Sequence, residues 1–389
     1  MLYAILCLFL YYFSYRYILQ YNGSGTSPTY SDTPFVFQIF KYVVFTISLL
    51  IVVCQGKKKL RTKTPSTVVL ITSITVISIF WGVVNNFTQQ IGFGIILLMP
   101  LVYLTNYKMI NLAVIDKIMI SFWLFSLCYE IIQIYLFATQ GRLPALAYLS
   151  PKITDVRFGS TWDDPNGFSV ILSFYLIYGI IKYRGLKKVV FMMINIFMII
   201  ISWSGTGIIA NLLMFIVIYF IRYKDKYFYK KSTKILAGFL LMAGTCVLVN
   251  IDYLSSFIIQ LMIDKQSSVS AHADSYDLSV LTPLILIGIP DKGRMVEAGI
   301  MFLLLNGGVV MVMLFYTLLF LSIYKTIEKL STAQKMDKPL FYGILAYQIS
   351  FSFAMFNLPL LTVWSNMGVM AIFMILVFYP RKYLMHYNV

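Results

Sequence analysis

Polar side chains cluster in one short segment of an otherwise apolar chain. The segment DVRFGSTWDDPNGFSV contains Arg157, whose guanidinium fork pairs with phosphate or carboxylate, and Trp162, whose flat apolar face is of the kind that stacks on sugar rings. Asp164 and Asn166 are explained equally well as caps of the helix that follows. Capping does not explain Arg157 and Asp163, so the segment is a candidate for binding or catalysis.

A second polar group lies in SSVSAHADSYD and IPDKGRMVEAG. His272 can move a proton near neutral pH, and Asp274, two residues away, is a candidate to orient it. The alternative is a lone histidine in a solvated loop. Lys292 and Arg294 precede an apolar run, together with Glu297. The two basic side chains either reach from that run to the membrane surface or hold an anionic headgroup.

The elements that carry these loops are apolar helices. The chain has 389 residues, 60% hydrophobic and 12% charged, with a mean hydropathy of +0.81. A soluble domain of this length needs more polar surface, whereas lipid solvates apolar side chains. A span takes about twenty apolar residues as helix. The apolar runs predict spans near residues 2–20, 35–54, 67–84, 91–105, 118–138, 167–182, 189–204, 206–222, 235–250, 299–323, 339–357 and 361–379.

These runs predict an all-α polytopic membrane protein with about twelve transmembrane helices. Residues 1–389 form a single transmembrane domain in this interpretation, with two large external loops at 139–166 and 251–298. The apolar stretch 279–290 in the second loop is too short to span the bilayer, so we expect it to be interfacial or re-entrant. The stretch 251–265 before it has amphipathic helical spacing and is expected on the outer membrane surface.

Basic residues divide unevenly between alternate loops. Of the 31 Lys and Arg, 23 fall in one set of loops and 8 in the other set with its flanking helix ends. The positive-inside rule places the richer set in the cytoplasm. Both chain ends then lie on the cytoplasmic side, and both large polar loops lie outside. Most of the net charge of +16 is therefore a topology signal, which argues against a nucleic-acid partner.

Polar residues inside the predicted spans are few. Glu130 is the only acid among them, which makes it either functional or a structural partner for Lys41. Four amides are expected to hydrogen-bond between helices, namely Asn195, Asn211, Asn306 and Gln348.

No motif for a metal or cofactor is present. The sequence lacks a phosphate-binding Gly-Lys-Ser loop, an HExxH pair and a dinucleotide fingerprint. Its four cysteines all fall inside apolar runs, without metal-ligand spacing or the loop positions of a disulfide framework. We therefore predict a protein without metal or cofactor, in contact with membrane lipids.

Several segments resemble one known family. RFGSTWDDPNGFSVILSFYLIYGI, the basic KYRGLKK and IISWSGTGIIANLL are similar to the core of the O-antigen polymerase and ligase superfamily, the Wzy type. IPDKGRMVEAGIMFLLLNGGVV looks like the family's later loop and Glu/Gly-bearing span, so the resemblance covers about residues 139–323. The family has an arginine where this chain has Gly205. The matching positions are Arg157, Gly159, Asp164, Pro165, Asn166, Ser202, Ser204, Thr206, Gly207, Glu297, Gly307 and Gly308.

The resemblance implies a GT-C-like, metal-independent glycosyltransferase at the outer face of the bacterial plasma membrane. It would join repeat units carried on undecaprenyl pyrophosphate, with a flippase and a chain-length regulator as partners. Arg157 and Arg294 would hold the pyrophosphate, with Arg142 in reserve. His272 or Asp163 would orient the acceptor hydroxyl. The other candidate substrate-binding residues are Trp162, Asn166, Asp274, Lys292 and Glu297.

Two other functions stay open on the sequence. A ligase of the same family would move finished glycan to a different acceptor. A secondary transporter or flippase also fits the predicted spans, but it needs a midplane site with charged or broken helices in matched halves. Glu130 is the only acid inside a predicted span, and no sequence repeat relates the two halves of the chain. The polar residues concentrate in the external loops. These observations favour the polymerase over a transporter.

Overall fold

The computed structural model describes residues 2–19, 35–55, 65–85, 87–106, 109–140, 147–149, 156–160, 162, 165–202, 204–221, 286, 288, 298–358 and 360–385. Within these ranges the fold is all-α, with eleven helices and two short strand pairs. The helices are α1 Leu2–Leu19, α2 Phe35–Gln55, α3 Pro65–Val84, α4 Thr88–Thr105, α5 Leu112–Gln140, α6 Pro165–Lys182, α7 Gly185–Ile201, α8 Gly205–Ile221, α9 Gly299–Thr332, α10 Lys338–Ala354 and α11 Trp364–Phe378.

The two strand pairs are small. β1 (Ile110–Asn111) pairs in parallel with β4 (Leu384–Met385). β2 (Ala147–Leu149) pairs antiparallel with β3 (Val156–Phe158), with Tyr148 opposite Arg157. The second pair lies within the first predicted external loop.

The helices follow the predicted apolar runs closely. Each described helix coincides with one of them, and the run at 235–250 lies outside the described residues. Three of the described helices, α3, α5 and α9, are long and apolar enough to cross a membrane. Large apolar side chains such as Val69, Phe220 and Met313 stay exposed on the helices, as lipid-facing positions would. The chain is a membrane protein on these grounds, and the number of crossings stays a prediction.

The centre of the bundle is formed by α6, α10 and α11. All 15 residues of α11 are buried, and α6 is buried from Pro165 through Ile180 apart from Asn166. α10 packs against α6 and α8, and α11 packs against α4, α1 and α9. A helix that is apolar on every side needs neighbours on every side. The remaining helices pack around these central helices.

One end of the bundle brings together distant parts of the chain. The Asn111 N–H donates to the Tyr3 hydroxyl (2.6 Å), and Ile110 pairs with Leu384 across β1 and β4. We call this end the terminal face. The first and last described segments thus share one face, as the predicted topology requires, while the side of the membrane on which it lies stays a prediction.

A charged cluster links α5 to α6 near the terminal face. Lys182 Nζ lies 2.7 Å from Asp116 Oδ2, and the Tyr178 hydroxyl donates to Asp116 Oδ1 (2.6 Å). The prediction that Glu130 is the only acid in a span is wrong for this reason. α5 begins at Leu112 rather than near residue 118, so the helix also includes Asp116, whose charge interrupts the apolar run in the sequence.

Most of the predicted interhelical amide bonds are present. The confirmed pairs are Asn195 with Trp123 (3.0 Å), Asn211 with the Ser169 carbonyl (3.0 Å), and Gln348 with Thr326 (2.8 Å) and Ser322 (2.7 Å). Asn306 differs, because its side chain donates to the Phe302 carbonyl in its own helix (2.9 Å). The bond across helices is made instead by Gln90, which donates to the Asn306 backbone oxygen.

The short apolar stretch in the second external loop contacts α9. Gly308 has φ 74 and interrupts the helical backbone of α9. A Cβ atom at Gly308 would lie 2.5 Å from the Leu286 carbonyl carbon and 2.6 Å from the Gly288 nitrogen. Residues 286 and 288 therefore pack against α9 nine positions after its start. That the stretch is interfacial or re-entrant stays a prediction. The rest of 279–290 and all of 251–265 lie outside the described residues.

Candidate functional site

Four helices begin close together at the end of the bundle opposite the terminal face. They are α6, α8, α9 and α11, and the turn after α10 lies among them. The residues that connect these helix starts are Trp162, Asn166, Ser204, Thr206, Asn357 and Asn366, and we call this set the N-terminal junction. It is the candidate functional site.

The starts of α6 and α8 are joined by a direct hydrogen bond. The Ser204 hydroxyl donates to Asn166 Oδ1 (2.8 Å) and accepts a bond from the Gly207 N–H (3.0 Å), which caps α8. Gly207 lets α6 approach, since a Cβ there would lie 2.5 Å from the Ser169 Cβ. Asn166 and Ser204 belong to two segments that are distant in sequence and that both carry the family resemblance. The fold brings these segments into contact.

The turn after α10 joins α8 to α9. Asn357 Nδ2 donates to the Thr206 hydroxyl (2.7 Å), and the Ile300 N–H donates to the Met355 carbonyl (3.0 Å). Gly299 is needed at the start of α9, because a Cβ there would lie 2.6 Å from the Leu358 carbonyl oxygen. The start of α9 is thus held to the same polar group as the start of α8.

The starts of α6 and α11 meet at Gly167. Asn366, in the first turn of α11, places its Nδ2 against the position that a Gly167 Cβ would occupy, and Trp162 Nε1 lies 3.1 Å from that position. Asn366 and Trp162 are both buried, at 0% and 1% exposure. Two polar side chains from different parts of the chain therefore converge above the first turn of α6.

The Trp162 ring is packed inside the protein. Its centroid lies 5.7 Å from that of Phe122 and 6.5 Å from that of Phe168. The expectation of an open indole face for sugar stacking does not hold in this structure, because two aromatic rings already lie against it. What Trp162 offers instead is its Nε1–H, a hydrogen-bond donor.

Several polar atoms at the junction are buried without a hydrogen-bond partner in the described part of the chain. They are Trp162 Nε1 and both amide atoms of Asn366. Buried polar groups are nearly always paired, because an unmade bond costs about 1–3 kcal/mol. Unpaired polar atoms at a place where four helices begin are more typical of a ligand site than of a packing contact.

The electrostatics of the junction favour an anion. Each helix N-terminus carries roughly +0.5 of an elementary charge, while the Gly207 and Ile300 N–H groups of the first turns already bond to Ser204 and the Met355 carbonyl. α6, α8, α9 and α11 all present this end to the junction, together with the Trp162 and Asn366 donors. Such an arrangement can hold a phosphate-type group through N–H donors, as single helix N-termini do.

Most of the sequence-predicted site residues lie outside the described residues. These are Arg142, Asp163, His272, Asp274, Lys292, Arg294 and Glu297. Arg157 has its backbone in β3, and its side chain is not described. The loops that carry them nevertheless end at the junction, since one leads to Trp162 and the other to Ala298, which precedes α9. Of the predicted residues, the fold brings Trp162 and Asn166 into the junction.

The first loop reaches the junction by running along α5. Phe158 packs on Phe137, with ring centroids 6.0 Å apart. The Ser160 hydroxyl donates to the Ser126 carbonyl (2.7 Å), and Gln133 Nε2 donates to the Ser160 carbonyl (3.2 Å). Ser160 has φ 51, a left-handed conformation that costs about 1–3 kcal/mol outside glycine and often marks a functional segment.

Sequence reasoning missed Asn366, Asn357 and Thr206 as site residues. Asn366 falls in the predicted span 361–379, where an amide is expected to hydrogen-bond between helices. Asn357 is the last residue of the predicted span 339–357 and lies in the turn after α10 in the structure. Asn357 and Asn366 gave no signal beyond their position near a helix end, whereas Thr206 was one of the positions that match the family pattern. Their convergence on α6 and α8 is a property of the fold alone.

The fold and the junction define an all-α membrane protein with a donor-rich polar site at one end of its helical bundle. No model of a known protein family and no curated protein matches this chain.

Proposed function

We propose that this protein is a polysaccharide polymerase that joins undecaprenyl-pyrophosphate-linked repeat units on the outer face of the bacterial plasma membrane. The observation that carries the proposal is the N-terminal junction, where four helix N-termini and the unpaired Asn366 and Trp162 donors converge. The two loops that hold the candidate catalytic residues both enter the bundle there.

The junction supports the chemistry of a pyrophosphate leaving group. As the glycosidic phosphate bond breaks, negative charge grows on the leaving oxygen, and fixed N–H donors in a buried site stabilise that charge. In the proposal, Arg157 and Arg294 add cationic donors from the two loops. His272 or Asp163 receives or orients the acceptor hydroxyl, whose oxygen forms the new bond to the sugar carbon.

The membrane setting supports a lipid-linked substrate. Apolar side chains on α3, α8 and α9 stay exposed along the bundle, so a polyprenyl tail can remain in the lipid while its pyrophosphate enters the junction. The proposed topology places the terminal face in the cytoplasm and the junction outside. Repeat units delivered by a flippase would then arrive on the side of the junction.

A family ligase uses the same donor and the same leaving group, so the junction supports it equally. The acceptor alone separates the two functions. A secondary transporter has less support, because both candidate loops and the unpaired Asn366 and Trp162 donors meet at one end of the bundle.

The test is the glycan that cells make when this gene is deleted and restored. We expect deletion to remove long chains and to leave single repeat units, whereas loss of a ligase leaves long chains on their lipid carrier. Arg157→Ala and His272→Ala should each abolish long chains while membrane insertion, followed by immunoblot, stays normal. Arg184→Ala, at an exposed position at the start of α7, is the matched control and should keep wild-type chains. Wild-type chain lengths in the deletion strain would refute the proposed function.

A further inference from the structure

One face of α5 carries a buried acceptor cluster that the junction does not use. Ser126, Glu130 and Gln133 follow at helical spacing of four and three residues, so they share a face. Their exposures are 1%, 1% and 0%. The Ser160 segment covers this face, because Ser160 is hydrogen-bonded to Ser126 on one side of Glu130 and to Gln133 on the other.

The described donors of the cluster, the Ser160 hydroxyl and Gln133 Nε2, bond to carbonyl oxygens and not to Glu130. Both carboxyl oxygens of Glu130 and the Oε1 atom of Gln133 have no hydrogen-bond partner within the described chain. The Ser160 carbonyl oxygen borders the same face and has a second lone pair beyond the bond it accepts from Gln133. The Ser126 carbonyl oxygen has no free lone pair, because it accepts both the helical N–H of Glu130 and the Ser160 hydroxyl. Two oxygen atoms with acceptor capacity, Gln133 Oε1 and the Ser160 carbonyl oxygen, therefore share this face with the two unpaired oxygens of Glu130.

We propose that Glu130 is the centre of a binding site for a small monovalent metal cation of the size of sodium. A carboxylate taken out of water is costly unless a positive charge accompanies it. Hard cations take oxygen ligands, and carboxylate, amide and backbone carbonyl oxygens are the ones they use in proteins. One carboxylate balances a single positive charge, whereas a divalent ion would leave a net charge buried in the membrane.

The composition of the cluster excludes other metals. No group of three or more His, Cys, Asp or Glu side chains exists among the residues that the structure describes. Zinc and similar ions need such groups. An acid inside a span with carbonyl oxygens beside it is instead the arrangement in which membrane proteins hold monovalent ions.

A cation here has a mechanical consequence. Ser160 is held in a left-handed conformation and lies two residues before Trp162, whose Nε1 points into the junction. A cation shared by Glu130 and the Ser160 carbonyl would tie this segment to α5. The cation then acts as a clamp that holds Trp162 in place. This inference does not depend on the proposed function, because the clamp would exist in a polymerase, a ligase or a transporter.

The test is the thermal stability of the purified full-length protein in sodium, lithium, potassium or choline chloride at one ionic strength. For the wild type we expect the melting temperature to rise by several degrees from choline to sodium, and to keep rising with the logarithm of sodium concentration above Kd. We expect smaller shifts with lithium and potassium, whose ionic radii differ from that of sodium. Binding of radioactive sodium to the wild type gives the stoichiometry directly, and one ion per chain is expected.

Two variants test whether a cation, rather than a proton or a basic side chain, balances the Glu130 carboxyl group. Glu130→Gln supplies an NH2 donor to the neighbouring acceptors, so it should lose the sodium shift and be as stable in choline as the wild type is in sodium. Gln133→Ala should keep the fold and weaken sodium binding by about tenfold or more. Asp116→Asn is the matched control on the same helix, because Asp116 already has Lys182 and Tyr178 as partners. It should keep the full sodium shift.

Three results would overturn the proposal. A wild type whose melting temperature is the same in sodium and choline, without sodium binding, would show that a proton or a basic side chain such as Lys41 satisfies Glu130. A sodium shift that survives in Glu130→Gln would place the ion elsewhere, and so would one that disappears in Asp116→Asn. The glycan assay is independent of all three, so failure of the polymerase proposal would leave this one intact.

Discussion

Replacing Gly207 by alanine tests whether the close approach of α6 and α8 holds the junction together. The added Cβ would lie 2.5 Å from the Ser169 Cβ and would also overlap the Ser169 hydroxyl, which accounts for the glycine. Rotation of Ser169 can move its hydroxyl away but cannot move its Cβ. The two helices would therefore have to separate locally by about 1 Å to restore normal carbon contact.

A shift of this size would break the hydrogen bonds between the helices. The bond from Asn211 to the Ser169 carbonyl is 3.0 Å and the bond from Ser204 to Asn166 is 2.8 Å, so each would approach 4 Å. Overpacking of this kind costs about 1–3 kcal/mol. For a chain of this size we expect the melting temperature to fall by roughly 2–5 °C, and polymer yield to fall with it because Asn166 moves.

The assay is thermal unfolding of the detergent-purified variant, with Gly205→Ala as the matched control. Gly205 begins the same helix, and a Cβ there would meet no atom within 4 Å. A double-mutant cycle with Ser169→Gly makes the test specific, since removing the Ser169 Cβ should abolish the cost of Gly207→Ala. The reasoning is refuted if Gly207→Ala is as stable as Gly205→Ala, or if Ser169→Gly gives no relief.

Two further substitutions probe the unpaired donors of the junction. Trp162→Phe keeps an aromatic ring against Phe122, removes the Nε1–H and leaves a small cavity at a fully buried position. We therefore expect a stability loss of about 1–2 kcal/mol and a tenfold or greater loss of polymer yield. Equal yield in both proteins would show that the N–H contacts no ligand. Asn366→Leu replaces two unpaired buried polar atoms by an apolar group of similar size. We therefore expect the melting temperature to stay level or rise while polymer is lost. A fall of several degrees with normal polymer would instead show that Asn366 has a packing role.

The helices could be predicted from sequence because lipid exposure leaves an unbroken apolar signal. α1, α3 and α6 lie within a few residues of their predicted bounds. α5 was predicted too short, since the charge of Asp116 breaks the apolar run while Lys182 and Tyr178 satisfy it in the fold. Local hydropathy has no information about a partner that lies on another helix.

The candidate site was harder to predict because its parts come from distant positions. Asn166 and Ser204 were noticed separately, and only the packing of α6 on α8 shows that they are bonded. Asn366 gave no distinguishing signal, because its approach to Gly167 joins the first turns of two helices that are far apart in sequence. Trp162 was assigned an exposed role because a sequence does not reveal that Phe122 and Phe168 cover its ring.

The burial of α11 on every side determines the order in which the bundle can be completed. α11 packs against α1, α4 and α9, and it is the last α-helix in chain order within the described residues. During synthesis the earlier helices enter the membrane before α11 exists, so their final packing around it forms only after α11 is inserted. Contacts between the first and last parts of a chain form late and slowly. Assembly of this protein therefore ends at its core. Asn366 joins the junction, and the junction reaches its final geometry, only when α11 has packed into the bundle.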